Sequence, residues 1–144
     1  MGRGCARQAT ELWPPIAKLL ANRIHMHGNI VNHVFDVGVT SIYSFPVKPD
    51  LEVVKYDKSN VIEHMRHRVE VGSTIAGWVA VAHKEVIIRS AHQIVEVANK
   101  TNASLVAIPR PGCGAGGLDW NVVGPWIENI LDDRFWVIGY EGDR

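Results

Sequence analysis

Apolar positions recur at close to helical spacing near the start of the chain, at Cys5, Ala9, Leu12, Ile16 and Leu19. Pro14–Pro15 interrupts that run, which predicts two short helices, or one helix restarting with Pro15 in its first turn. His27-Gly28-Asn29 then closes the segment as a helix stop. Asn32–Val37 (NHVFDV) and Thr40–Val47 (TSIYSFPV) alternate β-type residues on either side of Gly38 and predict adjacent strands. From Leu51 to Ala82 the pattern breaks into scattered charge, with Gly72 and Gly77 inside it. A long, partly irregular connection is expected there, holding some short helix or strand, because structureless stretches of that length are uncommon in compact domains.

The clearest helix is Lys84–Asn99, where Ile87, Ala91, Ile94 and Ala98 form one stripe that Ile88 and Val95 widen. Asn102 punctuates its end. LVAIP (Leu105–Pro109) follows as a continuous apolar strand, expected to be buried on both faces. Asp119 or Gly124 caps a further helix reaching about Leu131, and Pro125 argues against one unbroken helix from Asp119. FWVIGY (Phe135–Tyr140) reads as a final buried strand. The alternation of helices and strands predicts a single α/β domain over residues 1–144, with helices on both sheet faces.

Composition narrows the function rather than the fold. The 144 residues carry 15 Lys plus Arg against 15 Asp plus Glu, so the formal net charge is zero. A chain so balanced has no bulk field to draw in nucleic acid or an anionic membrane, and any anion must be held by local geometry. No apolar run approaches the length that crosses a bilayer, and the first residues lack a signal-peptide core. Cys5 and Cys113 make no secreted disulfide framework. These features predict a cytoplasmic protein with reduced thiols.

The strongest chemical signal is Gly112-Cys113-Gly114-Ala115-Gly116-Gly117, set between a predicted strand and a predicted helix. Residues without bulky Cβ substituents let backbone N–H groups approach a phosphate, and the following helix adds its positive end. The loop also leaves the carboxyl end of a strand, where open α/β sheets place their ligands. A tight turn would need only one or two glycines. The spacing Gly112-x-Gly114-x-x-Gly117 also satisfies the dinucleotide fingerprint, with Glu141 as its ribose acid. Against that, the fingerprint sits early in a long doubly wound domain, and Pro109 and Pro111 stiffen this approach.

A second glycine-rich loop opens the chain in MGRGCARQA, again directly before a helix. GRGCARQA resembles the first ligand loop and helix of the macrodomains, a family that binds ADP-ribose. IPRPGCGAGGLDW resembles that family's phosphate-binding loop. IIRSAHQIVEVAN followed by a strand and PRPGCG resembles its phage and bacterial branch. The resemblance covers most of the chain and is weakest over Leu51–Ala82. It implies a three-layer α/β/α fold around a mixed sheet, with ADP-ribose or a related nucleotide diphosphate in a cleft at the strand ends. Ligand contacts would come from Gly2, Arg3, Gly4 and Cys5, from Gly112, Cys113, Gly114, Ala115, Gly116, Gly117 and Leu118, and from Tyr140 as an aromatic face for adenine. The family's first strand, with its Asn-containing loop and the Asp that holds adenine, has no counterpart. The fold is therefore expected to be N-terminally shortened, with an open edge that invites a second copy.

The same family includes readers of ADP-ribose, glycohydrolases and phosphatases of ADP-ribose-1''-phosphate. A glycohydrolase branch uses a lysine after a central strand and an aspartate in the second loop. SFPVKP places Lys48 at that lysine, suited to attack the anomeric carbon of the distal ribose. The aspartate position falls near Gly116, and the nearest acid is Asp119, for which a helix N-cap is the alternative role. A shortened, non-binding remnant with a structural or oligomeric role is a third reading. Cys113 at a helix start is a candidate thiolate, yet it also suits a crowded loop as a small residue. His25-x-His27 and His64-x-x-His67 lack the further ligands of a metal site, so neither metal nor cofactor is expected. Trp136 reads as core rather than as a ligand face.

Overall fold

The structure, a computed structural model, describes residues 4–139. The proline pair separates two helices, α1 (Gly4–Leu12) and α2 (Ile16–His27), with Pro15 at the N-cap of the second. Gly28, at φ 86°, ends α2 and donates its N–H to the Ile24 carbonyl at 2.8 Å. The helical spacing is correct, but only Ile16 of that stripe is buried, and Leu12 is 67% exposed.

β1 (His33–Val37) and β2 (Thr40–Tyr43) form an antiparallel hairpin that turns at Gly38, φ 59°. The stretch after it is more ordered than its sequence suggests. β3 (Leu51–Val53) pairs antiparallel with β4 (Thr74–Ala76), and two 3-10 segments, Glu63–Arg68 and Gly77–Val79, complete a small lobe. Val54, Val61, Ile75, Val79 and Ala80 give that lobe its own core. Its apolar residues are spaced for several short turns rather than for one element, which is why no period announces them. Asn60 is buried inside it and fully engaged: its Nδ2 donates to the Val53 carbonyl and to Glu52 Oε1, and its Oδ1 accepts from the Lys55 N–H.

α3 (Lys84–Thr101) buries Ile87, Ser90, Ala91, Ile94 and Ala98, the expected stripe with Ser90 added. Burying Ile87 alone contributes roughly 1.5–3 kcal/mol. Ser90 is tolerated because its hydroxyl donates to the Pro46 carbonyl at 2.7 Å. Asn102 caps the helix at φ 52°, a left-handed conformation that asparagine adopts more readily than most residues. α3 packs on α4 (Trp120–Ile127), and Ala82, Ile87, Ala91, Val123 and Ile127 form the second core.

Three expectations are corrected. α4 runs unbroken through Pro125 and stops at Ile127, short of Leu131. Proline removes a single donor, and eight residues of helix survive the loss with an Asp119 cap and two buried apolar side chains. β5 (Val106–Pro109) and β6 (Phe135–Ile138) are not buried on both faces. They pair parallel, with Ala107 opposite Trp136 and Pro109 opposite Ile138, so one face collects four apolar residues. All four are exposed, Trp136 at 64%. The architecture is thus mixed α/β, with its six strands in three two-stranded ladders among the described residues.

Candidate functional site

β5 ends at Pro109, and Arg110-Pro111 leads into the glycine loop. Gly112 is buried at φ 75°, where a Cβ would lie 2.7 Å from Ile87 Cδ1 and 3.1 Å from Ala82 Cβ. Only glycine fits, because the conformation is left-handed and the neighbours are core. The Leu118 N–H donates to the Gly112 carbonyl at 3.1 Å and closes the loop on itself. The Ala82 N–H donates to the Gly116 carbonyl at 2.8 Å and ties the loop to the segment entering α3. At the tip, Gly114 and Ala115 are exposed, and a parallel bridge joins Cys113 to Leu118 across the loop.

These residues line a cleft of about 790 Å³. Gly4 and Cys5 at the start of α1 line it too, as do Gly112, Cys113, Gly114, Ala115, Gly116 and Leu118, so the first turn of α1 and the second glycine loop share one space. Lys48 is on its wall. The lysine is half-buried, its Nζ donates to the Trp78 carbonyl at 3.1 Å, and burial pushes its amine below the ordinary lysine value. Asn29 Nδ2 donates to the Lys48 carbonyl at 2.9 Å, and the His83 N–H donates to the Val47 carbonyl at 2.8 Å, fixing the backbone on both sides of the amine's attachment.

The charge on this wall is one-sided. Among the described residues lining the cleft, Lys48 and Arg110 are cations and none is an acid. In a chain whose formal charges cancel, the described charged lining of the cleft is cationic only. Arg110 is held with its guanidinium carbon 5.7 Å from the Trp120 ring centroid, over an aromatic face that favours a cation.

Other expected site residues lie elsewhere. Gly117 is not on the wall; it turns the chain at φ 79° with its N–H on the Gly114 carbonyl at 2.9 Å. Asp119 is not on it either, and its carboxylate accepts the Asn121 N–H at 2.7 Å as the N-cap of α4. Gly2, Arg3 and Tyr140 lie outside the described residues. Neither Cys5 nor Cys113 is in a disulfide, and the Cys113 thiol donates to the Pro111 carbonyl at 3.7 Å. Trp136 is exposed on the β5–β6 face and does not line the cleft. No group of three His, Cys, Asp or Glu among the described residues is placed to hold a metal ion. No helix among them is long and apolar enough to cross a membrane.

Sequence reasoning missed Arg110, Phe45 and Trp78 and weighed His64 only as a metal ligand; all four line the cleft. Arg110 carried a signal, a cation locked between two prolines at a strand end. Trp78 carried a weaker one, a tryptophan after glycine in a segment with no apolar period. Phe45 carried none. In comparisons with known proteins, no family model matches the chain and no curated protein matches it.

Proposed function

We propose that the cleft binds a nucleotide diphosphate, with ADP-ribose as the ligand that best fits its two glycine loops, in the manner of a macrodomain reader of three-layer α/β/α type. The observation that carries this reading is the charge of the described lining: Lys48 and Arg110 with no acid among the described residues, beside the exposed glycine-loop tip at Gly114 and Ala115. Glycine loops at strand ends are suited to phosphates because backbone donors can come within hydrogen-bonding distance. Lys48 and Arg110, both on the cleft wall, would supply neutralising charge. The reading stops at binding. A glycohydrolase step needs an acid beside the lysine, and the acid nearest in sequence to the expected position, Asp119, caps a helix.

Calorimetric titration of the folded protein with ADP-ribose tests the proposal. Saturable heat is expected, with Lys48→Met weakening the affinity roughly tenfold, as for loss of one charge-assisted hydrogen bond. Absence of heat at millimolar ligand, with the protein folded by circular dichroism, would end the reading.

A further inference from the structure

Trp78 stands on the rim of the cleft, 66% exposed. Tryptophan is on average one of the more buried side chains, and an exposed one at the mouth of a concave site is a surface in want of a partner. Its backbone is firmly seated. The 3-10 segment Gly77–Val79 that carries it has Gly77 pressed so closely on the Pro49 carbonyl oxygen that no Cβ could be accommodated. The Gly77 N–H donates to the Asp50 carbonyl at 2.8 Å, the Ala80 N–H donates to the Gly77 carbonyl at 3.0 Å, and Val79 is buried in the lobe core. The Trp78 carbonyl accepts from Lys48 Nζ, so the indole is attached to the same short stretch of backbone that holds a cleft cation.

We infer that Trp78 is a stacking platform for a planar, nucleobase-type ring of the ligand, held at the Lys48 end of the cleft. The inference rests on the anion reading of the cleft and adds to it a determinant of ligand class. Phosphates without a ring would engage the glycine loop alone, and ligands with a ring would engage both. An anchored aromatic residue adds affinity because the backbone that carries the indole is already fixed, so less chain has to be ordered when the ligand arrives. Base–aromatic stacking is tolerant of which base is presented, so the platform selects for a ring and not for one particular ring. Two rings fit this chemistry: the adenine of ADP-ribose itself, and a ring carried on its distal ribose.

Three probes separate these outcomes: inorganic pyrophosphate, ADP-ribose, and NAD, which is ADP-ribose with a nicotinamide ring on the distal ribose. Each is titrated calorimetrically into wild type, Trp78→Ala and Trp78→Phe. Trp78→Ala is expected to weaken NAD roughly tenfold, within the range for loss of one stacked base. Pyrophosphate should stay within twofold, and Trp78→Phe should recover most of the loss. If ADP-ribose weakens with NAD, the stacked ring is adenine; if only NAD weakens, the ring is the one on the distal ribose. The inference is overturned if Trp78→Ala leaves both ring-bearing ligands within twofold of wild type, or lowers pyrophosphate equally. It is also overturned if wild type binds pyrophosphate but neither ring-bearing ligand, and there the anion reading stands. Failure of all three probes to bind wild type removes both.

Discussion

Replacing Gly112 by alanine probes the link between the loop and the core. An L-residue held in the left-handed region costs about 1–2 kcal/mol. The added methyl would also meet Ile87 Cδ1 at 2.7 Å, Ala82 Cβ at 3.1 Å and Leu118 Cδ1 at 3.3 Å. Overpacking of that kind costs a further ~1–3 kcal/mol. Gly114 supplies the control. Its φ of 64° carries the same conformational cost, but nothing lies within 4 Å of a Cβ there. Gly114→Ala is therefore expected to lose about 1–2 kcal/mol, and Gly112→Ala about 2–5 kcal/mol. With total stability of roughly 5–15 kcal/mol, both variants should remain folded at low temperature. Each kcal/mol moves the midpoint by about 2–4 °C in a domain of this size, so thermal unfolding followed by circular dichroism resolves the two. Equal losses for the two variants would refute the argument, because they would show that Gly112 is not wedged against the start of α3.

Two other predictions test single residues. Asp119→Ala should cost about 1 kcal/mol through loss of the α4 cap and leave ADP-ribose affinity within twofold of wild type; a tenfold loss in calorimetry would put Asp119 in contact with ligand. Asp132 is held at about 2, below the ordinary 3.8, first by the Arg134 side chain and then by the Arg134 backbone N–H. A carboxylate depressed on folding contributes stability that is present above 3.8 and is lost as pH falls towards 2. The unfolding midpoint of Asp132→Asn should therefore lie below that of wild type at neutral pH and converge on it near pH 2. An offset independent of pH would refute the assignment.

Where a single period spans a whole element, the chain was legible. α3 follows from Ile87, Ala91, Ile94 and Ala98, and the α1–α2 break follows from two adjacent prolines, because both are local effects. The β5–β6 strands were placed correctly but misjudged in burial. LVAIP and FWVI are apolar on both sides, and composition alone cannot separate a strand covered on both faces from one left open. The 51–82 lobe was illegible because its core draws single residues from β3, β4 and two short 3-10 segments. Part of the cleft was visible in advance through its glycines. Phe45 and Trp78, which come from other segments, join it by tertiary contact, which spacing along a chain does not encode.

The 51–82 lobe has a core separate from the one beneath the glycine loop. Two cores within one chain favour two cooperative units, which can exchange amide protons at different free energies. The lobe carries Trp78, and the larger core carries Gly112 and Gly116 at its margin. The walls of the cleft therefore belong to different units. A ligand spanning both would tie their openings together, slowing exchange in Ile75 and Val79 as well as in the loop it touches, far more than its own contact area would suggest.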